Sequence, residues 1–187
     1  MRRPLGAARR RLAAAPGEGR LLLVLRHAKS SWDDPDLDDF DRPLAPRGRK
    51  AAKRMGRYLG DTGLVPDAVL CSAALRARQT WARIAKQLCH APEPKYLKSL
   101  YMAPPSRQLD CLRRLDDAIV TALLIGHNPG QQALVLRLCG DGPGLERARE
   151  KFPTGALAAI RLGPGRWAEL AFGDGTLVDL LYPRDLD

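Results

Sequence analysis

The sequence predicts an α/β fold: a single three-layer domain with a mainly parallel sheet, helices on both faces and antiparallel hairpins near the C-terminus. Three short apolar runs, over residues 21–25, 68–71 and 121–125, are typical of strands buried on both faces. Segments with apolar residues at helical spacing alternate with them, which favours a parallel sheet. Near the C-terminus, Gly163-Pro164-Gly165 and Gly173-Asp174-Gly175 separate shorter apolar runs and indicate hairpin turns.

The composition limits the architecture to one core. The chain has 187 residues, of which 45% are hydrophobic and 28% charged, as is typical of a soluble globular domain. We therefore predict one folded domain over residues 21–187, a monomer in the cytoplasm with no membrane partner, because no apolar run could span a bilayer. The four cysteines, Cys71, Cys89, Cys111 and Cys139, are far apart in the sequence. We expect reduced core side chains, with Cys89 and Cys139 on apolar helix faces.

The elements follow one another along the chain. Helices are predicted over residues 46–59, 73–89, 106–115 and 129–138, and strands over 21–26, 67–71, 97–100, 119–125, 157–162, 167–172 and 176–181. Ser72 and Asn128 are the expected N-caps of the second and fourth helices, and Pro129 suits a first helical position. Arg76 would then lie in the first turn of its helix, where the dipole and the free N–H groups favour an anion.

The first 20 residues differ from the rest. They hold six Arg and one Glu, which is half of the net charge of +10. A short segment rich in Arg, Ala, Pro and Gly cannot bury a core, so we favour a flexible, disordered tail. A transit peptide, a weak phosphate-binding arm and residues upstream of the true start remain alternatives. The arm has no interleaved aromatic residues, so we expect no specific nucleic-acid partner.

Two arginines and two histidines follow the three apolar runs. Arg26 and His27 come directly after the first, Arg76 shortly after the second and His127 after the third. Ligands of open α/β sheets bind beyond the carboxyl ends of the strands. Guanidinium groups match phosphate oxygens, and a neutral imidazole can attack phosphorus and carry it covalently. Alone, each motif fits a polar strand exit or a turn into a helix; together they predict a phosphate pocket.

The motifs that contain these residues resemble those of the histidine phosphatase superfamily, which has the phosphoglycerate mutase-like fold. They are Leu25-Arg26-His27-Ala28-Lys29-Ser30, Ser72-Ala73-Ala74-Leu75-Arg76-Ala77-Arg78-Gln79-Thr80 and Gly126-His127-Asn128-Pro129-Gly130. Ser30-Ser31-Trp32-Asp33-Asp34 and Asp41-Arg42-Pro43-Leu44 resemble the SixA-type phosphohistidine phosphatase branch in particular. The resemblance spans roughly residues 20–182. Ala28 stands where the usual motif has Gly, so we expect an ordinary backbone φ there and retained activity.

The resemblance implies a mechanism and a role in signal transduction. His27 would attack phosphorus in line, and Arg26, Arg76 and His127 would hold the phosphoryl oxygens. Water would then hydrolyse the phosphohistidine intermediate. Because these groups supply the positive charge, we expect no metal and no cofactor.

Three further residues are candidate substrate contacts. Arg42 could bind phosphate or substrate, with a salt bridge to the acidic loop over residues 33–41 an equal alternative. Ser30 is a second candidate. Asn128 is a third, although a helix cap is favoured for it. The acidic loop itself is expected to be solvated or substrate-facing, because it lacks the spacing of a calcium site.

The segment between the second and third motifs offers no well-placed Glu as a general acid. Glu93 comes too early, Asp110 lies in the next helix, and Tyr101-Met102-Ala103-Pro104-Pro105-Ser106 carries no acidic residue. An alkoxide needs a proton to leave, whereas imidazole departs readily, so the absence favours phosphohistidine as the substrate. We therefore predict a phosphatase acting on a phosphorylated protein such as a histidine-phosphorylated carrier. The alternatives are a phosphatase of small phosphate esters and a non-catalytic phospho-binding module or nucleic-acid-binding protein.

Overall fold

A mixed six-stranded sheet with helices on both faces forms the core of the computed structural model, which describes residues 19–140 and 144–186. The strands are β1 (Arg20–Arg26), β2 (Ala68–Ser72), β3 (Pro94–Leu97), β4 (Thr121–Gly126), β5 (Leu157–Leu162) and β6 (Gly175–Leu181). The helices are α1 (Pro46–Thr62), α2 (Leu75–Ala85), α3 (Pro105–Leu112), α4 (Gly130–Cys139) and α5 (Glu146–Glu150). Short 3-10 turns occupy Asp39–Asp41, Lys98–Leu100, Trp167–Glu169 and Pro183–Leu186.

The strand order is β3-β2-β4-β1-β5-β6. The first four strands run parallel, β5 runs antiparallel to β1, and β6 runs antiparallel to β5. This arrangement confirms the predicted fold class. The connections explain the strand directions. Helices join the parallel strands as crossover connections, whereas β5 and β6 form an antiparallel pair in which Leu162 is paired with Gly175.

Alternate side chains of β1 pack on opposite faces of the sheet. Leu21, Leu23 and Leu25 belong to a core cluster with side chains of α1 and α2, whereas Leu22 and Val24 belong to one with side chains of α3, α4 and α5. The two-residue period of a strand produces this division, and burial on both faces explains why the sequence run is continuously apolar. Apolar contact on both faces fixes the register of β1, and with it the positions of the polar residues at its end.

Several sequence-based expectations about the elements are wrong. Residues 167–172 do not form a strand, because the Trp167 indole donates to the carbonyl oxygen of Ile119 and its backbone N–H to Asp117. The strand expected over 97–100 is instead β3, which ends at Leu97 and is followed by a 3-10 turn. Cys89 is exposed, because α2 ends at Ala85.

The expectations about the N-terminal arm and about membrane-spanning helices have separate outcomes. The basic arm predicted over residues 1–20 lies outside the described residues, except for Gly19 and Arg20. Arg20 belongs to β1, so the folded part of the chain begins before residue 21. Within the described residues, no helix has both the length and the apolar character needed to cross a bilayer.

Candidate active site

Three neighbouring parallel strands end at one edge of the sheet and bring the predicted residues together. β4 lies between β1 and β2, and Arg26 of β1 is paired with Gly126 of β4. The backbone N–H of His27 donates to the carbonyl oxygen of Gly126 across 3.0 Å, which extends this pairing by one residue. The rings of His27 and His127 consequently lie side by side, with their centres 5.0 Å apart.

His27 is held as a neutral imidazole with a defined tautomer. Its Nδ1 lies 2.8 Å from the carbonyl oxygen of Ala28, which can only accept, so Nδ1 carries the proton and Nε2 carries the lone pair. The side chain is buried, and burial, together with the charges of Arg76 and Arg26, lowers the pKa of His27 to about 3 although the bond to Ala28 opposes the shift. Neutral Nε2 is the atom suited to attack phosphorus.

Arg76 lies at the centre of the site, in the first turn of α2. Its Nε donates to Nε2 of His27 across 3.3 Å, and its Nη2 lies 3.3 Å from Nδ1 of His127. The same guanidinium donates to the carbonyl oxygen and, across 2.8 Å, to the carboxylate of Asp39. One buried cation therefore contacts both histidines and a carboxylate.

His127 is fixed between Arg76 and Ser72. Because Arg76 can only donate, Nδ1 of His127 accepts, and Nε2 donates to the Ser72 hydroxyl across 2.8 Å. Burial and the neighbouring His27 and Arg76 lower the pKa of His127 to about 3. The expectation that Ser72 caps α2 is wrong: α2 begins at Leu75, and the Ser72 hydroxyl faces His127 while also accepting from the backbone N–H of Ala74.

One guanidinium nitrogen of Arg26 is hydrogen-bonded within the protein, and another has no hydrogen-bond partner there. Its Nη1 donates to the carbonyl oxygen of Phe152 across 2.8 Å, while Nε is buried without a hydrogen-bond partner. Burial, with the charge of Arg76 as a second cause, lowers its pKa. A buried donor without a partner within the protein is costly, so this atom is suited to bind an acceptor on a ligand.

Asn128 reinforces the anchor of Arg26. Its amide nitrogen donates to the same Phe152 carbonyl and to the side chain of Gln132, each across 3.1 Å. Both amide hydrogens are thus engaged within the protein, and its oxygen is buried without a partner. The expectation that Asn128 caps α4 is wrong, because α4 begins at Gly130 and has no side-chain cap.

Thr80 ties the loop after β1 to α2. Its hydroxyl accepts from the backbone N–H of Ala28 across 3.0 Å and donates to the carbonyl oxygen of Arg76 across 2.7 Å. Ala28 has no positive φ, as expected from the replacement of Gly. The backbone around the nucleophile is therefore coupled to the helix that carries Arg76.

Arg42 and Ser30 lie on the loop after β1 and make none of the hydrogen bonds that join His27, Arg76 and His127. Nε of Arg42 donates to the carbonyl oxygen of Ser31 across 3.1 Å, and its guanidinium lies 3.1 Å from the ring centre of Trp32. Among the described residues, Arg42 forms no ion pair with an acidic side chain, although its charge acts on Asp39. Ser30 forms an isolated backbone bridge with Leu44. Their roles as substrate contacts stay predictions.

Two residues of the site were missed by sequence reasoning. Asp39 was counted only among the acidic residues of its loop, and Tyr101 only as part of a segment without Glu. In the structure the Tyr101 hydroxyl donates to Oδ2 of Asp39 across 2.6 Å, and its ring lies edge-on to those of Phe40 and His127. The signal available was position: Asp39 comes just before the Asp41-Arg42-Pro43-Leu44 motif.

Comparisons with known proteins agree with this geometry. Residues 22–99 match the family model of the histidine phosphatase superfamily (branch 1). An uncharacterized protein of Mycobacterium tuberculosis (strain ATCC 25618 / H37Rv) is 40% identical over 164 residues, which cover 86% of this chain and all of that protein.

Two solved structures are similar over nearly their whole length. The SixA protein of Nakamurella multipartitia is 28% identical with a TM-score of 0.77, covering 92% of this chain and 98% of that one. The protein histidine phosphatase SixA complexed with tungstate is 25% identical with a TM-score of 0.74, covering 89% of this chain and 99% of that one.

Proposed function

Because the chain belongs to the histidine phosphatase superfamily, in its SixA-type branch, we propose that it removes the phosphoryl group from a phosphohistidine of a protein. One observation carries the proposal. His27 is a buried neutral imidazole whose Nδ1 is committed to Ala28 and whose Nε2 faces the Arg76 guanidinium. A nucleophile and a phosphate-binding cation thus meet at one atom.

In the first step, the lone pair on Nε2 of His27 forms a bond to phosphorus while the bond to the leaving group breaks and its electron pair departs with that group. The imidazole gains positive charge as the bond forms. The hydrogen bond from Nδ1 to the Ala28 carbonyl stabilises this charge and holds the ring in one orientation. The lowered pKa keeps His27 ready to attack at neutral pH, since no proton has to be removed first.

The phosphoryl oxygens would be bound by three groups that already border His27. Arg26 offers its unpartnered Nε, and Arg76 offers the hydrogens now directed at Asp39. His127 can donate from Nδ1 once its tautomer changes and the Nη2 hydrogen of Arg76, now directed at that atom, turns to a phosphoryl oxygen. Ser72 permits this change, because its hydroxyl accepts from Ala74 and can rotate its own hydrogen towards Nε2 of His127.

In the second step, a water molecule attacks the phosphorus of the phosphohistidine, the bond to Nε2 breaks, and the electron pair returns to His27. Inorganic phosphate is released and the neutral nucleophile is restored. The same three groups stabilise the charge of both transition states, since the phosphoryl group stays between them.

A protein substrate is favoured by two large exposed apolar side chains on the loops that lead into the site. Trp32 is 66% exposed and Met102 51% exposed, and they lie on the two segments that carry Arg42 and Tyr101. Large exposed apolar side chains beside a polar pocket are typical of surfaces that bind another protein. Their exposure favours a macromolecular phosphohistidine over a small phosphorylated metabolite. Cysteines that stay unpaired fit a cytoplasmic location for this activity.

The test is phosphate release by the wild-type protein and the His27→Ala variant from a histidine-phosphorylated carrier domain and from p-nitrophenyl phosphate. We expect rapid release from the carrier, lost in the variant, and a radioactive phosphoenzyme trapped by alkali only in the wild type. Release of phosphate from p-nitrophenyl phosphate alone would indicate a phosphatase of small phosphate esters, and release from neither substrate would indicate a binding role.

A further inference from the structure

The carboxylate of Asp39 stands at the mouth of the site, on the outer side of Arg76. Its Oδ2 accepts from Nη2 of Arg76 across 2.8 Å and from the Tyr101 hydroxyl across 2.6 Å. The Asp39 side chain is 49% exposed, whereas His27 is 7% exposed. Asp39 is therefore the solvent-exposed end of the chain of contacts that runs from His27 through Arg76.

The negative charge of Asp39 acts on both His27 and His127. Burial raises the pKa of its carboxyl, but the hydrogen bonds from Tyr101 and Arg76 outweigh this effect and leave the pKa below its ordinary value. The group is thus an anion at neutral pH. Both hydrogen bonds go to Oδ2, and among the described residues none goes to Oδ1, so one oxygen of this exposed carboxylate can accept from a ligand.

In-line attack determines where the leaving group lies. His27 approaches phosphorus from the buried side, so the departing atom is on the opposite, solvent side of the phosphoryl group. That side is where Asp39 stands. A leaving group with an N–H donor would find an acceptor there, whereas a leaving group that gathers negative charge would face a like charge.

The geometry points to Asp39 as a residue that determines specificity by accepting a hydrogen bond from the departing imidazole ring, an inference that rests on the proposed function. The bond from Nε2 of His27 to phosphorus forms while the bond from phosphorus to the substrate ring nitrogen breaks, and the electron pair stays on that nitrogen. The substrate binds as the phosphorylated imidazolium, with its other ring nitrogen already protonated; that proton stays on the ring, held by Asp39, so a neutral imidazole departs. No proton has to come from the enzyme.

This role explains how the site operates without a general acid. A carboxylate beside an imidazole stabilises the protonated ring, and a phosphorylated imidazolium loses its phosphoryl group more readily than the neutral form. The same charge disfavours phosphate esters whose departing oxygen or nearby carboxylate is negative. Asp39 therefore selects for phosphohistidine at the step in which the phosphorus–nitrogen bond breaks.

The test compares Asp39→Asn with the wild type on two small substrates, phosphoimidazole and p-nitrophenyl phosphate. Asparagine keeps the size and can still accept from Arg76 and Tyr101, so the substitution removes mainly the charge. Asp36→Asn is the matched control, because Asp36 is an exposed acid of the same loop. We expect kcat/KM for phosphoimidazole to fall by about 10- to 100-fold, as for loss of a charged hydrogen bond. For p-nitrophenyl phosphate it should stay level or rise, and Asp36→Asn should change neither.

Each other outcome overturns the inference in a recognisable way. An equal fall on both substrates would mean that Asp39 merely positions Arg76. An equal rise on both, with tighter inhibition by inorganic phosphate, would make the carboxylate a competitor of the phosphoryl group. If the wild type released phosphate neither from phosphoimidazole nor from the histidine-phosphorylated carrier, the proposed function itself would fail, and the wild-type rates alone would show it.

Discussion

Arg76 donates the hydrogen of its Nε atom to Nε2 of His27 across 3.3 Å, at the atom that attacks phosphorus. The contact has two consequences. A proton on Nε2 would face the guanidinium, so Arg76 helps to keep His27 neutral. When phosphorus arrives at Nε2, the Nε hydrogen is released from the ring and becomes available to a phosphoryl oxygen. One contact thus protects the resting nucleophile and supplies a donor during the reaction.

Replacing Arg76 by Lys should reduce kcat/KM for p-nitrophenyl phosphate by about 100- to 1000-fold, the range for removal of a preorganised donor at a developing charge. Lysine keeps the charge but lacks the planar set of donors that reaches His27, His127 and Asp39 together. Steady-state kinetics at several substrate concentrations would separate the effect on kcat from that on KM.

The control for this substitution is Arg78→Lys, on the same helix but with an exposed side chain. It should leave kcat/KM within about twofold of the wild-type value, because substitutions of exposed side chains outside the site have small effects. Comparable losses in the two variants would show that helix α2, rather than the guanidinium at the nucleophile, sets the rate.

The free energy of unfolding should rise with pH between about 3 and 6.5 because of the two buried histidines. Both have pKa values lowered from 6.5 to about 3 in the folded protein, so in this range the unfolded chain binds more protons than the folded one. Stability is then lost as pH falls below 6.5, by up to about 1.4 kcal/mol per pH unit for each histidine. Urea unfolding at several pH values would measure the slope.

His27→Asn should flatten this pH dependence, because the variant has one buried imidazole fewer to protonate. His90→Asn is the matched comparison, because His90 is an exposed histidine. Asp39 affects the free energy of unfolding at lower pH than the histidines do. Its pKa is below the ordinary value, so its stabilising contribution is lost when the pH falls far enough to protonate the carboxylate. An unchanged slope in His27→Asn would refute the assigned burial effect.

The sequence alone predicted that Arg26, His27, Arg76 and His127 lie together, because the ends of buried strands are easy to locate. Continuous apolar runs mark strands buried on both faces, and the polar residues directly after them, Arg26, His27 and His127, must lie at the same edge of a parallel sheet. Arg76 follows from the short distance between β2 and the start of α2. These inferences need only chain-local patterns and one rule of topology.

Asp39 and Tyr101 could not be predicted in the same way. They lie 62 residues apart, on two loops without periodicity, and meet only because both loops cover the same edge of the sheet. The expected strand over 167–172 failed for a similar reason, since its apolar pattern was satisfied by burial of Trp167 against Ile119 rather than by pairing. Contacts between distant loops leave no periodic pattern in a single sequence, and the position of Asp39 before the Asp41-Arg42-Pro43-Leu44 motif does not reveal its partner.

Thr80→Val should weaken both stability and activity. The substitution keeps the shape of the side chain but removes the hydroxyl that bonds the Ala28 N–H and the Arg76 carbonyl. A buried N–H left without a partner costs about 1–3 kcal/mol. Because the backbone beside His27 would be released, kcat should fall as well. Urea denaturation and steady-state kinetics measure the two effects.

Thr62→Val is the matched control for Thr80. Thr62 is equally buried and its hydroxyl bonds the carbonyl oxygen four residues earlier, that of Tyr58, but it lies at the end of α1 and contacts no residue of the site. We expect a loss of stability with kcat retained. If both variants kept full activity at equal loss of stability, Thr80 would have no positioning role.

Gly130→Ala should destabilise the protein by about 1–3 kcal/mol, as expected when a close backbone contact is overpacked. A Cβ at Gly130 would lie 1.9 Å from the carbonyl oxygen of Ala103, which is backbone and cannot rotate away. The start of α4 would have to move away from the loop that carries Tyr101, and His127 would move with it. Activity should therefore fall further than in a variant that is equally destabilised by a substitution far from the site.

Gly163→Ala is the control, because a Cβ there meets no atom within 4 Å, and it should change the free energy of unfolding by less than about 0.5 kcal/mol. Wild-type stability in Gly130→Ala would contradict the close packing of α4 against this loop.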